Sequence, residues 1–160
     1  MEMRMKIIDG ARALFLAGTL IAGSAMAALA ADSVNQIDGV ALHGFDPVAY
    51  FVQKKPLKGD PGIATEYKGV TYEFHDANNL ALFKQNPEKY LPQYGGFCAF
   101  AVANGAKADV DPYAYAINDG KLYVNFSVEK RDEFQKKVSD YIGKADHNWP
   151  AVEPQEKIYR

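Results

Sequence analysis

Cys98, His75 and His43 are the side chains in this 160-residue sequence whose types suit soft-metal or nucleophilic chemistry. Cys98 is the only cysteine and lies just after the Gly95-Gly96 pair in LPQYGGFCAFAVANG. If the three converge, one thiolate and two imidazoles form a set suited to copper, with zinc as the alternative and Asp46 as a carboxylate behind the ligands. All four methionines fall within the first thirty residues, so the remainder offers no thioether. The same Cys98 with a histidine could instead be a nucleophile and its base. Tyr94, Gly95, Gly96 and Phe97, with Tyr90, could line an apolar cleft for a small molecule. Each group also has a plainer explanation: a small buried hydrophobe for Cys98, a strand-end histidine bonded to a carbonyl for His75, a loop histidine for His43, and core packing for the aromatics.

The first thirty residues read as a secretory leader. Arg4, Lys6 and Arg12 precede an apolar run from Ala13 to Ala22, and Ala28-Leu29-Ala30 fits the small-x-small cleavage pattern. Gly18 and Gly23 interrupt a run already shorter than a spanning helix needs, so no membrane span is expected in the mature chain. The expected location is therefore periplasmic or secreted, with cleavage near Ala30. A lone cysteine in an exported chain cannot make an internal disulfide, which leaves packing to supply stability. Net charge is −2, and losing the leader removes three basic and two acidic residues. With no basic run interleaved with aromatics, the electrostatic term for nucleic-acid binding is missing.

Positioning these groups requires one domain of the α+β class: a small antiparallel sheet from two hairpins, with packed helices. Residues 31–36 read as a loose mature terminus, 37–150 as the domain and 151–160 as a tail. Asp46-Pro47 starts a short helix over Val48 to Val52, because aspartate caps orphan amides and proline gives up no needed donor. Glu66 to Phe74 turns at Gly69, Asp76 caps a helix carrying Leu80 and Phe83, and Asn86-Pro87 ends it. Asn118-Asp119-Gly120 marks a second hairpin, and Ser127 caps what reads as the longest helix, with Phe134, Val138, Tyr141, Ile142 and Ala145 on its apolar stripe. Gly96 to Ala103 suits a strand or a helix equally. Gly69, Tyr72, Phe83 and Tyr90 recur as Gly120, Tyr123, Phe134 and Tyr141, each 51 residues on, which points to a strand-strand-helix pseudo-repeat sharing one sheet.

Tyr67, Gly69, Tyr72, Phe74 and Phe83, followed by Asn86-Pro87-Glu88-Lys89-Tyr90, match the pattern of the YHS domain. With GFDPVAYF upstream and YGGFCAFAVANG and DGKLYVNF downstream, most of the mature chain resembles the exported bacterial branch of that family. The resemblance implies an accessory module, in some settings attached to metal-handling proteins such as copper-transporting pumps. Metal-associated members look like DPVCGM and YFCSEGC, and Ala49, His75 and Asn79 stand at those three cysteine positions here. A thiolate zinc site of that design is thereby excluded. The expectation is an exported binding module for a transition metal, copper first, or for a small molecule near Gly95 to Cys98. The alternatives are a structural or protein-interaction domain without a ligand, and a thiol enzyme using Cys98.

Overall fold

The computed structural model describes residues 33–160. The secretory leader read in residues 1–30 lies outside the described residues. Two short strands, β1 (Gln36–Ile37) and β2 (Val40–Ala41), pair antiparallel around Gly39 and run into a tight turn over Leu42–Gly44. Helix α1 (Ala49–Val52) follows, then a hairpin of β3 (Asp60–Tyr67) and β4 (Val70–Phe74). Helices α2 (Ala77–Gln85) and α3 (Pro87–Tyr90) complete the first half. Asp76 accepts the Asn79 amide at the start of α2, as its capping role requires, and Pro87 opens α3 after the break at Asn86.

The second half repeats this plan. A turn over Gln93–Gly96 leads to α4 (Ala99–Ala103), so the segment whose type the sequence leaves open is a turn followed by a helix. Strands β5 (Lys107–Ala108), β6 (Asp111–Asn118) and β7 (Lys121–Asn125) come next, then α5 (Val128–Lys136) capped by Ser127, and α6 (Val138–Val152). The helix expected as the longest is thus two, broken at Lys137, whose φ of −141° leaves the helical region. The two hairpins and the first helix after each start and stop 51 residues apart, and even the irregularity between Asp60 and Ala64 recurs between Asp111 and Tyr115. The α+β class and the repeat are both present in the architecture.

The hairpins do not share a sheet, however. Strand order is β1-β2-β4-β3 in the first sheet, while β6 and β7 form a separate pair. The edge of β4 away from β3 is taken by β2 in parallel, at Val40 and Thr71, and the equivalent edge of β7 is taken by a parallel bridge from Pro92 to Leu122. Each incoming segment occupies the edge through which the halves would have joined. They meet through side chains instead: Tyr50 of α1 enters a buried cluster with Leu42, Cys98, Val110, Leu122 and Val124, and its hydroxyl donates to the Pro112 carbonyl at 3.0 Å. Burial pushes the Tyr50 phenol above its ordinary range, with Tyr115 and Asp111 adding to the effect.

Both terminal readings need correction. Asn35 is buried, its amide N–H donating to the Gly95 carbonyl at 2.8 Å and its side chain to the Gly96 carbonyl at 3.2 Å, so the chain from Ser33 is bound down and not loose. The C-terminal tail is equally integral. Val152 is buried, and β8 (Ile158–Tyr159) pairs in parallel with β5. The amphipathic stripe continues past residue 150, and the Tyr159 carbonyl takes the Asp109 amide at 2.8 Å.

The glycine pair owes its place to this docking. Gly95 has φ +60°, and a Cβ there would sit on the Ser33 carbonyl oxygen. Gly95→Ala is expected to lower unfolding free energy by about 2 kcal/mol or more, since left-handed strain and a backbone clash add. Gly120→Ala, with φ +71° and open space around it, should lose only about 1 kcal/mol. Urea unfolding of the two variants checks this, and equal losses would remove the steric argument.

Candidate functional site

The three residues expected to share a metal are not brought together. Among the described residues no group of three histidine, cysteine, aspartate or glutamate side chains is placed to hold a metal ion. Cys98 is 1% exposed within the Tyr50 cluster. Its sulfur accepts the Ala101 amide at 3.4 Å, which caps α4. Burial pushes the thiol above its ordinary range, opposed only in part by the amides of Ala101, Phe126 and Phe100. The buried thiol is closed off from solvent in the folded chain.

Asp46 explains why the sulfur sits there. The turn over Leu42–Gly44 and the turn ending at Gly96 carry matching left-handed residues, and Asp46 and Cys98 each follow two residues later. The Asp46 amide donates to the Leu57 carbonyl at 2.9 Å, and the Cys98 amide to the Ala108 carbonyl at 3.0 Å. Asp46 Oδ1 accepts the amides of Val48 at 2.8 Å and Ala49 at 3.2 Å, and Oδ2 accepts the His75 amide at 2.8 Å. Phe126, 51 residues after His75, is among the backbone amides that oppose the rise of the Cys98 thiol. Cys98 is therefore the second half's version of a buried capping aspartate at a helix start.

The same carboxylate also engages Asn79. Asn79 Nδ2 donates to Asp46 Oδ2 at 2.6 Å, and its amide group exchanges hydrogen bonds with Gln53. Ala49 is buried, and the His75 side chain is exposed. Where the resemblance aligns three thiolates, this chain has a carboxylate with four donors.

His43 points to neither of the other two. Its Nε2 lies 2.7 Å from Asp109 Oδ1, which also accepts Asn35 Nδ2 at 2.9 Å and its neighbour Val110's amide at 2.9 Å. Arg160 reaches the other carboxylate oxygen at 3.6 Å. Asp109 thus gathers the N-terminal segment, the His43 turn and the C-terminal strand. His43 itself has φ 53°, a strained conformation for a side chain of this size. Burial alone would raise the Asp109 carboxyl, yet Asn35, Val110 and His43 together hold it below the usual carboxylate range.

Tyr94, Gly95, Gly96 and Phe97 serve packing. Tyr94 donates to Asp146 Oδ1 at 2.7 Å and stacks near Tyr123 and Trp149, while Phe97 is buried beside Trp149. The backbone of the glycine pair is covered by Asn35, so the cleft expected there is filled by the chain's own N-terminal segment.

An opening is found elsewhere, at the junction of the halves. A groove of 470 Å³ is lined by Tyr50, Phe51 and Lys54, by Tyr115, Ala116 and Ile117 of β6, and by Arg131 and Gln135 of α5. The Tyr50 and Tyr115 rings meet edge to face at 4.9 Å, and the Tyr115 hydroxyl donates to the Lys54 carbonyl at 3.0 Å, fixing one wall. Ile117 is 41% exposed beside it. Sequence reasoning missed this site because its residues come from three elements. The available signal was the outward alternation of Tyr113, Tyr115 and Ile117, which reads as ordinary strand composition.

No protein-family model matches the chain, and neither a curated protein nor a solved structure is similar to it.

Three outcomes follow from this geometry. Asp46→Ala strands four donors and is expected to lose about 3–5 kcal/mol in urea unfolding. The Cys98 thiol should ignore Ellman's reagent in the native protein and react fully once unfolded; prompt native reaction would contradict its burial. Because the Asp109 carboxyl is depressed in the fold, its contribution is complete above the unfolded value of about 4 and disappears as pH falls through the folded value. The stability gap between wild type and Asp109→Asn should therefore shrink as pH falls below about 4.

Proposed function

We propose that the protein is an exported, non-enzymatic YHS-type binding module whose binding surface is the groove between Tyr50 and Arg131. The reading of export rests on the leader sequence, and the family reading rests on the motifs from Tyr67 to Tyr90. The observation that carries the choice of surface is the contrast between the two sites: Cys98 is sealed, while the groove opens 470 Å³ between aromatic walls and two cationic side chains. Its lining holds Lys54 and Arg131 and no carboxylate. Apolar walls with two positive charges select an occupant that is apolar and carries negative charge. Arg131 donates through Nε to Asp132 Oδ1 at 2.6 Å, which holds the guanidinium in place.

The amphipathic anion 8-anilinonaphthalene-1-sulfonate is the direct probe. Wild-type protein should give a saturable rise in its fluorescence, and Lys54→Glu combined with Arg131→Glu should weaken binding about tenfold while cooperative thermal unfolding persists. Absence of saturable binding to the folded protein, or equal binding by the double variant, would remove the groove as the binding surface.

A further inference from the structure

We propose that the natural occupant of this groove is an extended, acidic segment of a partner protein, added to the open edge of β6 as a third strand. The proposal rests on the groove reading above and specifies what fills it. The first support is the direction of the backbone. Asp119 and Gly120, with φ 49° and 71°, form a two-residue hairpin turn that Asn118 and Lys121 close. The closing pair of such a hairpin exchanges both of its hydrogen bonds, and pairs then alternate along the ladder. Ala116 and Tyr123 are consequently the next bonded pair. The intervening residues Ile117 and Tyr115, opposite Leu122 and Val124, aim their N–H and C=O groups away from β7. The same three consecutive residues, Tyr115, Ala116 and Ile117, line the groove.

Among the described residues β6 has no strand partner other than β7. A row of edge donors and acceptors between two walls is the geometry by which an extended peptide adds to a sheet. The pseudo-repeat supplies an internal control. The equivalent of Ile117 in the first half, 51 residues earlier, is Glu66 on β3, exposed and followed by Lys68. Charge on an edge strand is a usual protection against pairing. β6 carries instead Tyr113, Tyr115 and Ile117, with Tyr113 60% exposed. One of two equivalent edges is guarded, and the other is apolar and grooved.

Charge fixes the partner's chemistry. Alternate side chains of an added strand face opposite walls, one apolar at Tyr50 and Phe51, the other reaching Arg131, with Lys54 beside the apolar wall. Apolar residues alternating with acidic ones satisfy both. A second copy of this chain fits badly, because pairing β6 with β6 sets the Lys54 and Arg131 of each groove against those of the other.

A fluorescein-labelled peptide of alternating valine and glutamate, six residues long, tests this by fluorescence polarisation against the full chain. Binding is expected to weaken at least tenfold when alternate peptide nitrogens are methylated, and likewise when lysine replaces glutamate. Ile117→Pro removes an edge N–H that the hairpin does not use, so it should lose the peptide by tenfold or more yet keep the anilinonaphthalene probe. Equal binding of the methylated peptide, or full peptide binding by Ile117→Pro, would overturn strand addition while leaving the groove reading intact. Loss of the probe and the peptide together in wild type would remove both, and concentration-dependent dimers in sedimentation without peptide would overturn the choice of partner.

Discussion

The Asp46 carboxylate is the interaction on which the rest of the first half depends. Fully buried, it accepts hydrogen bonds from the start of α1, from the amide that ends β4 and from Asn79 in α2. A buried carboxylate is tolerated only when its lone pairs are satisfied, and satisfying them here forces three elements to a common point. The second half solves the same geometric problem with Cys98, whose sulfur needs far less solvation and can sit among Leu122, Val124 and Tyr50. The lone thiol is thus explained by its place in a repeat.

Duplication also gives a measure of what each half has kept and what it has changed. In the first half the left-handed turn holds Leu42, His43 and Gly44; in the second it holds Tyr94 and two glycines. The glycines let the N-terminal segment lie directly on the backbone. His43 accepts left-handed strain and in return fixes Asp109, where both ends of the described chain are tied. The differing edges of β3 and β6 belong to the same pattern of divergence. The hairpins are matched 51 residues apart, whereas the left-handed turns and the capping residues Asp46 and Cys98 are matched at 52.

Much of the frame was legible in the sequence because its signals are local. The Asp-Gly turn, the caps at Asp76 and Ser127, the break at Asn86-Pro87 and the four residue identities at a fixed spacing each depend on a few neighbouring atoms. The site was not legible in this way. The apolar run around Cys98 already suited a small buried hydrophobe, as found, but nothing in a linear pattern says that His75 faces solvent or that His43 meets Asp109, because side-chain direction is set by tertiary packing. The separation of the two sheets followed from edges occupied by β2 and Pro92, a contact between segments distant in sequence. The groove likewise exists only once Tyr50, Tyr115 and Arg131 have been assembled from a helix, a strand and another helix. Among the described residues, no helix is long and apolar enough to cross a membrane.

The central claim is that the sulfur holds the fold while recognition occurs at the groove, and Cys98→Ser separates these roles in one comparison. Serine keeps an acceptor of smaller size but leaves a void and a polar hydroxyl in an apolar cluster, so thermal stability should fall. Affinity for the acidic peptide, measured well below the variant's melting temperature, should stay within a factor of two of wild type. Loss of peptide binding by a variant whose melting temperature is unchanged would place recognition at the sulfur and contradict the account.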